Sequence, residues 1–186
     1  MRGALGSRAD DIGVVDCGVG LSRVRTSAFA GPVIVCGLAG GLAADADTGT
    51  VVIADRAMDE DGHALECDRE LSERFAAAAA RLGISARTGT ILSSRTLVTG
   101  TARATWAARG YLAVDMETAF VHAPRIACVR VVLDTAAHEL SDAWLRPWTV
   151  PVRPDAWPQF AWLVREGPRC ARLAARVLAK ALLDGD

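Results

Sequence analysis

Three short segments of this sequence carry residue types that could act on a small molecule. One contains consecutive glycines after an apolar run, and the other two contain carboxylates at the ends of apolar runs. Glycines let backbone N–H groups approach a ligand closely, and carboxylates accept hydroxyl hydrogen bonds or transfer protons. The segments are Val33–Leu42, Ala113–Ala119 and Val131–Ala136.

The glycine-rich segment predicts a buried strand that runs into a tight turn. Ala39, Gly40 and Gly41 stand at that turn. Their backbone could line a pocket for a phosphate or a water molecule. The same glycines could instead serve only the packing of a crowded turn, and the residues alone do not separate these two interpretations.

The second segment places two carboxylates at the junction of a predicted strand and a predicted helix. Asp115 is suited to cap that helix, and acidic residues favour its first turn, so a structural account exists. In the functional account, Glu117 accepts two hydrogen bonds from a sugar diol. Met116 would then pack against the face of the sugar.

The third segment ends in Asp134, which follows the nearly continuous apolar run I-A-C-V-R-V-V-L. Ligands of α/β proteins bind beyond the carboxyl ends of such strands. Partial burial would raise the pKa of an aspartate there and suit it to general acid catalysis. Capping of the following turn is the structural alternative.

Strand and helix patterns alternate along the whole chain. The predicted strands are Ile12–Cys17, Val33–Gly37, Val51–Ala54, Thr90–Leu92 and Ile126–Leu133. The predicted helices are Glu70–Leu82, Thr101–Ala108, Met116–Ala123 and a last helix through Cys170 to Leu182. This alternation predicts one α/β domain over residues 1–186, a three-layer αβα sandwich around a mixed central sheet.

Composition narrows the class of protein. Of 186 residues, 51% are hydrophobic and 23% are charged, and the net charge is −1. This balance excludes a disordered chain and is not typical of a nucleic-acid-binding protein. The uncharged stretch 26–44 contains Pro32 and four glycines, which favours a buried strand and turn over a membrane span. Five cysteines without a C-x-x-C spacing predict reduced thiols in a cytoplasmic protein.

Common metal and cofactor motifs are absent from the sequence. It contains no P-loop, no G-x-S-x-G and no H-E-x-x-H. His63, His122 and His138 are too widely spaced to predict a metal site. Gly18-Val19-Gly20 follows a predicted strand, but the third glycine of a dinucleotide fingerprint is replaced by Arg23. We therefore expect neither a metal nor an organic cofactor.

The order G-L-A-G-G, V-D-M-E-T-A and V-R-V-V-L-D-T-A resembles the nucleoside phosphorylase and methylthioadenosine/adenosylhomocysteine nucleosidase superfamily. The resemblance runs from about Val14 to about Ser141 and is strongest to the hopanoid-associated branch. It implies cleavage of a ribosyl N-glycosidic bond in a purine nucleoside or adenosyl conjugate, which is a small and, in that branch, lipid-linked substrate. The implied assembly is a homodimer or a larger homo-oligomer.

The resemblance also implies a role for each motif residue. Asp134 would protonate or hydrogen-bond the leaving base, and Glu117 would hold the ribose 2′- and 3′-hydroxyls. The other implied substrate contacts are Asp115, Met116, Leu97 and Val98. Ala39, Gly40 and Gly41 would lie beside the attacking water or phosphate.

Three departures from the family pattern bear on the reaction. Val35 and Cys36 stand where phosphorolytic members carry an arginine for phosphate, which favours hydrolysis while leaving phosphate open as a co-substrate. Arg95 follows Ser93-Ser94, where nucleosidases carry the sequence S-G-D. The usual first strand of the family has no counterpart before Ile12. A member that binds a nucleoside or a partner without catalysis is therefore the alternative.

A segment rich in tryptophan and proline precedes the last helix. We expect residues 140–162 to form a proline-stiffened excursion packed on the core. An oligomer interface or an apolar lid over the substrate are the alternatives. Its tryptophans are Trp144, Trp148, Trp157 and Trp162.

Overall fold

The fold was obtained as a computed structural model, which describes residues 12–24, 28–141 and 157–183. Strands and helices alternate for most of that length, as the sequence pattern predicts. The strands are β1 (Val33–Gly41), β2 (Val51–Asp59), β3 (Ala64–Glu66), β4 (Ala86–Ser93), β5 (Ala113–Asp115) and β6 (Ile126–Asp134). The helices are α1 (Arg69–Arg81), α2 (Gly100–Ala108) and α3 (Trp157–Leu183).

The six strands form one mixed sheet in the order β3-β2-β4-β5-β1-β6. The sheet also closes on itself, because β2 pairs antiparallel with β6 through Val51–Ala54 and Cys128–Val131. Five strands therefore make a ring, and β3 extends it from the far end of β2. The predicted mixed α/β fold is confirmed, and the ring gives its sheet an inner and an outer face.

The side chains of β6 point alternately to the outer and the inner face of the ring. Ala127, Val129, Val131 and Leu133 pack outward, in the core beneath α1 and α3. Cys128 and the other even-numbered residues face inward, because neighbouring side chains of a strand point to opposite faces. The inward positions of β6 include Arg130 and Asp134. The strand therefore carries two polar side chains into the ring while its outer face remains apolar.

Helix α1 begins where the sequence offers a strong cap. The side chain of Asp68 accepts a hydrogen bond from the backbone N–H of Leu71. The same carboxylate binds the guanidinium of Arg125, with its oxygens 2.6 and 3.0 Å from Nε and Nη2. The backbone N–H of Asp68 also donates to the carbonyl of Ile126. Asp68 therefore joins the start of α1 to the start of β6.

Two predicted elements are wrong. Residues 12–17 form no strand: Asp16 turns the chain by accepting a hydrogen bond from the backbone N–H of Gly18. The predicted helix Met116–Ala123 is reduced to a single 3₁₀ turn over Thr118–Phe120. Asp115 ends β5 and uses its carboxylate on neighbouring side chains, so this segment bends instead of continuing as a helix.

The other predicted elements are confirmed, with boundaries that the structure extends. Helix α3 begins at Trp157, thirteen residues before the clear periodicity, and carries Pro168 within it. Trp162 is half-buried and stacks on His138 with ring centroids 5.6 Å apart, which agrees with the packing interpretation. Trp157 is exposed, and Trp144 and Trp148 lie outside the described residues. None of the described helices is long and apolar enough to cross a membrane.

Candidate active site

A cleft of about 190 Å³ lies where the ends of β1, β5 and β6 meet the loop that precedes α2. It brings together eight of the nine predicted site residues, which are far apart in the sequence. They are Ala39, Gly40, Leu97, Val98, Asp115, Met116, Glu117 and Asp134. Gly41 does not line the cleft: a side chain there would meet the carbonyl oxygen of Ala46 at 2.5 Å, so this glycine serves close packing.

Asp134 lies at the carboxyl end of β6 and is only 6% exposed. The register between β1 and β6 shifts at this point, so Gly40 lies opposite Asp134. A side chain at position 40 would meet both carboxylate oxygens of Asp134 at 3.2 Å. Gly40 therefore leaves room for this carboxyl group at the wall of the cleft.

The carboxylate of Asp134 is held by an arginine that the sequence motifs did not reveal. Nη2 of Arg103, on α2, donates to Oδ2 of Asp134 in an ion pair whose two side chains are both more than 90% buried. Burial raises the pKa of Asp134, and the nearby guanidinium lowers it; burial outweighs the guanidinium, so the pKa lies above its ordinary value. A raised pKa suits a carboxyl group to proton transfer near neutral pH.

Glu117 lies between the end of β5 and the 3₁₀ turn, with its carboxylate bound on both oxygens. Oε1 accepts a hydrogen bond from the backbone N–H of Gly20 at 2.8 Å. Oε2 accepts one from Nη2 of Arg130 at 2.9 Å and a longer one from the backbone N–H of Met116 at 3.4 Å. A carboxylate has about four acceptor positions, so one position, on Oε1, remains for a hydroxyl group.

Asp115 also lines the cleft, but its carboxylate is directed at the protein. Oδ1 accepts from the hydroxyl of Ser93 at 2.6 Å, and Oδ2 accepts from the hydroxyl of Thr118 and from Arg130. Backbone N–H groups of Glu117 and Thr118 lie 3.3 Å from Oδ1. These bonds fix the turn that carries Glu117.

Arg130 is the second arginine that sequence reasoning missed. Its buried guanidinium lies inside the ring, between the carboxylates of Asp115 and Glu117. Burial opposes its charge, but the two carboxylates outweigh burial and raise the pKa of Arg130. Gly37 provides the space, because a side chain there would meet Nη1 of Arg130 at 2.7 Å.

The sequence carries a signal for Arg130 but none for Arg103. Arg130 interrupts an otherwise apolar strand, and a charge in such a run requires a buried partner. Arg103 lies within a short helix that is otherwise neutral, where nothing marks it as buried. Its partners come from four other segments, and only the folded chain brings them together.

Outside the cleft, one further group of potential ligand side chains occurs among the residues that the structure describes. Asp59, Asp61 and His63 lie in the turn between β2 and β3. Asp59 accepts hydrogen bonds from the backbone N–H groups of Asp61 and His63 and contacts the His63 ring. These hydrogen bonds stabilise the turn, and they explain why the three side chains lie close together.

Comparison with known proteins identifies the family to which the chain belongs. Residues 24–144, well over half of the sequence, match the family model described as the phosphorylase superfamily. The chain belongs to the phosphorylase superfamily. The matched residues contain β1 to β6 and every predicted site residue. No curated protein sequence matches the chain.

Solved structures of the superfamily share this fold at low sequence identity. A 5′-methylthioadenosine/S-adenosylhomocysteine nucleosidase mutant from Helicobacter pylori, with 5′-methylthioadenosine in its active site, is 17% identical with a TM-score of 0.62. The match covers 82% of this chain and 68% of that one.

Two further neighbours have the same extent of similarity. An S-adenosylhomocysteine nucleosidase from Streptococcus pyogenes in complex with 5-methylthiotubericidin is 17% identical, with a TM-score of 0.63 over 83% of this chain and 68% of that one. A futalosine hydrolase from Helicobacter pylori is 17% identical, with a TM-score of 0.60 over 82% and 68%. These structures establish the fold of the chain within the superfamily.

Proposed function

We propose that the protein hydrolyses the ribosyl N-glycosidic bond of a purine nucleoside. The observation that carries this proposal is the position of Asp134 and Glu117 in one cleft, Asp134 with a raised pKa and Glu117 with an unused acceptor position on Oε1. The structural neighbours are nucleosidases and a hydrolase by name, and two of them hold nucleoside compounds.

In this reaction the two carboxyl groups act on opposite ends of the bond. The C–N bond breaks with its electron pair moving to the base, and Asp134 gives its proton to a base nitrogen. A water oxygen bonds to C1′, and the proton it loses restores Asp134 for the next cycle. The sugar becomes oxocarbenium-like as the base leaves, so the negative charge of Glu117 at its hydroxyls stabilises the transition state.

The remaining cleft residues position the substrate. Leu97 and Val98 supply the apolar surface against which the base packs, and Met116 contacts the ribose face. Asp115 holds the turn in place without touching substrate, because its carboxylate is already bound to protein groups. Ala39 and Gly40 form the wall nearest the attacking water.

Charge in the cleft favours water over phosphate as the nucleophile. Three acidic residues and one arginine line it in the described part of the chain. That arginine, Arg103, is already paired with Asp134 and Glu139. A phosphate dianion would therefore enter beside carboxylates without an uncommitted cation, and its desolvation would be poorly compensated. Positions 35 and 36 lie in the apolar packing of β1, away from the cleft.

Release of free base from purified protein tests the proposal. We expect 5′-methylthioadenosine to yield adenine at the same rate with and without added phosphate. Asp134→Asn removes the proton donor and should lower kcat by about 10²–10⁴-fold. Asp45→Asn, at an exposed ion pair remote from the cleft, is the matched control and should retain wild-type activity. Full activity of Asp134→Asn would contradict the assigned acid.

One observation favours a second candidate, a nucleoside-binding protein without catalysis. The backbone N–H of Gly20 already occupies Oε1 of Glu117, and Val19 lines the cleft beside it. Among the described lining residues, no carboxylate beyond Asp115, Glu117 and Asp134 is present to activate water. Calorimetry that detects nucleoside binding without base release would establish this function, and multiple turnover would exclude it.

The 5′ substituent is proposed to be apolar. Leu140 and Val19 extend the apolar lining beyond the residues assigned to base and ribose. A methylthio group, or the lipid chain of an adenosyl conjugate implied by resemblance to the hopanoid-associated branch, would meet this surface. A higher kcat/KM for 5′-methylthioadenosine than for adenosine supports the assignment, and the reverse order contradicts it.

A further inference from the structure

Arg103 contacts more segments of the cleft than any motif residue described above. It is 2% exposed and binds groups at the end of β1, in the loop before α2, at the end of β6 and in the loop after β6. Its hydrogen-bond acceptors are the carbonyls of Gly41, Val98 and Asp134 and the carboxylate of Asp134. Glu139 pairs with it by charge, with Oε1 3.2 Å from Nε but without a hydrogen bond.

The buried charge of this guanidinium has to be compensated by its partners. Burying a charge is unfavourable unless excellent hydrogen bonds and an opposite charge compensate it. A planar guanidinium has five N–H donors in a fixed arrangement, so it can hold more acceptors at set positions than an ammonium group with its three rotatable donors. Glu139 is itself fixed, because its Oε1 accepts from the backbone N–H of Gly100 at the start of α2.

We propose that Arg103 is a positioning residue that binds Asp134 through Oδ2 and so presents the other carboxyl oxygen to the leaving base. This role rests on the proposed function of Asp134. Arg103 stays on the protein side of the carboxyl group throughout the reaction, and the proton moves only between Asp134 and the base. The arginine therefore sets both the orientation of the acid and its affinity for the proton.

The charges around Asp134 act in opposite directions. Arg103 on α2 lowers its pKa, and Glu139 in the following loop raises it. From β1 only the backbone of Gly40 faces the carboxyl group at close range, and Glu117 and Asp115 line the same cleft from the β5 side. On β6 itself, Arg130 is committed to those two carboxylates. Substitution of Arg103 and Glu139 should consequently shift the titration of Asp134 in opposite directions.

The test compares the pH dependence of base release in Arg103→Met, Arg103→Lys and Glu139→Gln. A general acid must hold its proton, so activity falls as the pH rises through its pKa. Arg103→Met should move this alkaline limb upward by about 1–3 pH units, because an opposite charge is lost. Its kcat should fall by roughly 10–100-fold, a part of what a general acid contributes.

The other variants distinguish positioning from a merely structural role. Glu139→Gln should move the limb downward, and Arg103→Lys should restore the limb while kcat stays reduced, since an ammonium keeps the charge but not the geometry. Arg87→Met, at the exposed pair with Asp45, should retain the wild-type profile. An unshifted limb in Arg103→Met and Glu139→Gln would overturn the proposal, even if activity is lost.

A direct titration separates failure of this inference from failure of the proposed function. In protein with ¹³C-labelled aspartate carboxyls, the Asp134 resonance is identified by its loss in Asp134→Asn. Its midpoint should rise in Arg103→Lys less than in Arg103→Met and fall in Glu139→Gln. Wild-type protein that releases no base overturns the enzymatic proposal, whereas unchanged midpoints overturn the role of Arg103. If Arg103→Met does not fold, the other two variants decide.

Discussion

At the scale of single residues, the cleft depends on how each carboxylate is already bound before a ligand arrives. Asp115 has its oxygens directed at Ser93, Thr118 and Arg130, whereas Glu117 has one protein donor at close range on each oxygen. Two neighbouring acids of one motif thus have different capacities for substrate. The difference comes from their hydrogen-bond partners and not from their residue type.

Glu117→Gln should reduce the preference for a ribonucleoside over the corresponding 2′-deoxynucleoside. A hydrogen bond to a charged acceptor contributes about 1.5–3 kcal/mol, which corresponds to roughly 10–150-fold in rate. We expect the kcat/KM of the ribonucleoside to fall by that factor while that of the 2′-deoxynucleoside falls much less. Glu73→Gln, exposed on α1, is the control. Equal losses for both substrates would show that Glu117 does not contact the 2′-hydroxyl.

Gly40→Ala should impair the acid without unfolding the protein. The added methyl group would lie 3.1 Å from Cγ1 of Val114 and 3.2 Å from the Asp134 carboxylate, which must shift by a few tenths of an ångström. A displacement of that kind should lower kcat by about tenfold through loss of alignment. Gly31→Ala, whose added methyl group meets nothing within 4 Å, is the matched control for kcat and thermal stability.

The sequence predicts the placement of those site residues whose role lies within a single motif. Asp134 and Glu117 follow strands and stand in recognisable patterns, so their placement at one cleft could be predicted. Arg103 could not, because its four partner segments are joined only by tertiary structure. The family resemblance implies that Asp115 contacts substrate, but its hydrogen bonds favour a positioning role.

At the scale of elements, the start of α1 shows how one side chain connects a helix to the sheet. Asp68 caps α1 through Leu71 and binds Arg125, which precedes β6. The hydrogen bonds from Arg125, followed by that from Leu71, lower the pKa of Asp68 to about 2. A carboxylate with a lowered pKa stabilises the fold above its unfolded pKa, and that contribution is lost as the pH falls through the folded value.

The Asp68 contribution predicts a specific acid dependence. Asp68→Asn keeps a capping side chain but loses the charge. Its melting temperature should be lower than that of the wild type at pH 6, and the difference should disappear between about pH 4, near the unfolded pKa, and pH 2. Asp68→Ala, which also loses the cap, should remain less stable at pH 2. Scanning calorimetry across this range measures both, and a constant difference for Asp68→Asn would contradict the ion-pair account.

The elements that sequence patterns predicted wrongly share a physical cause. Residues 12–17 contain a β-branched run typical of a strand, yet Asp16 draws the chain into a turn with Gly18 and Arg23. The segment after Asp115 has a helical pattern, but buried hydrogen bonds to Asp115 hold it in a single 3₁₀ turn. In both cases a side chain competes with the backbone for hydrogen bonds, and periodicity does not report this competition.

At the scale of the whole molecule, closure of the sheet isolates Arg130 from solvent. The β2–β6 pairing completes the ring, and Arg130 lies within it at 4% exposure. Its two carboxylate partners come from β5 and the turn that follows, so the ion pairs join opposite parts of the ring. The homo-oligomer predicted from the sequence stays a prediction, which light scattering in solution can test.

Arg130→Met should destabilise the whole domain. Two carboxylates would remain buried without an opposite charge, and removing one member of a buried ion pair typically costs about 3–5 kcal/mol. Urea denaturation should show that loss. Arg172→Met, on the exposed side of α3, should change the free energy of unfolding by less than about 0.5 kcal/mol. Adding Asp115→Asn to Arg130→Met should recover part of the loss, and strict additivity would argue against the pairing.

The space that Gly37 leaves for Arg130 has a consequence for how this sequence can diverge. A side chain at position 37 would place its Cβ 2.7 Å from Nη1 of Arg130, so position 37 can acquire one only if that guanidinium moves or is lost. Loss of that guanidinium in turn leaves the carboxylates at 115 and 117 unpaired. The four positions are therefore expected to change as a group among descendants of this protein. We therefore expect glycine at position 37 in descendants that retain the buried arginine in this place.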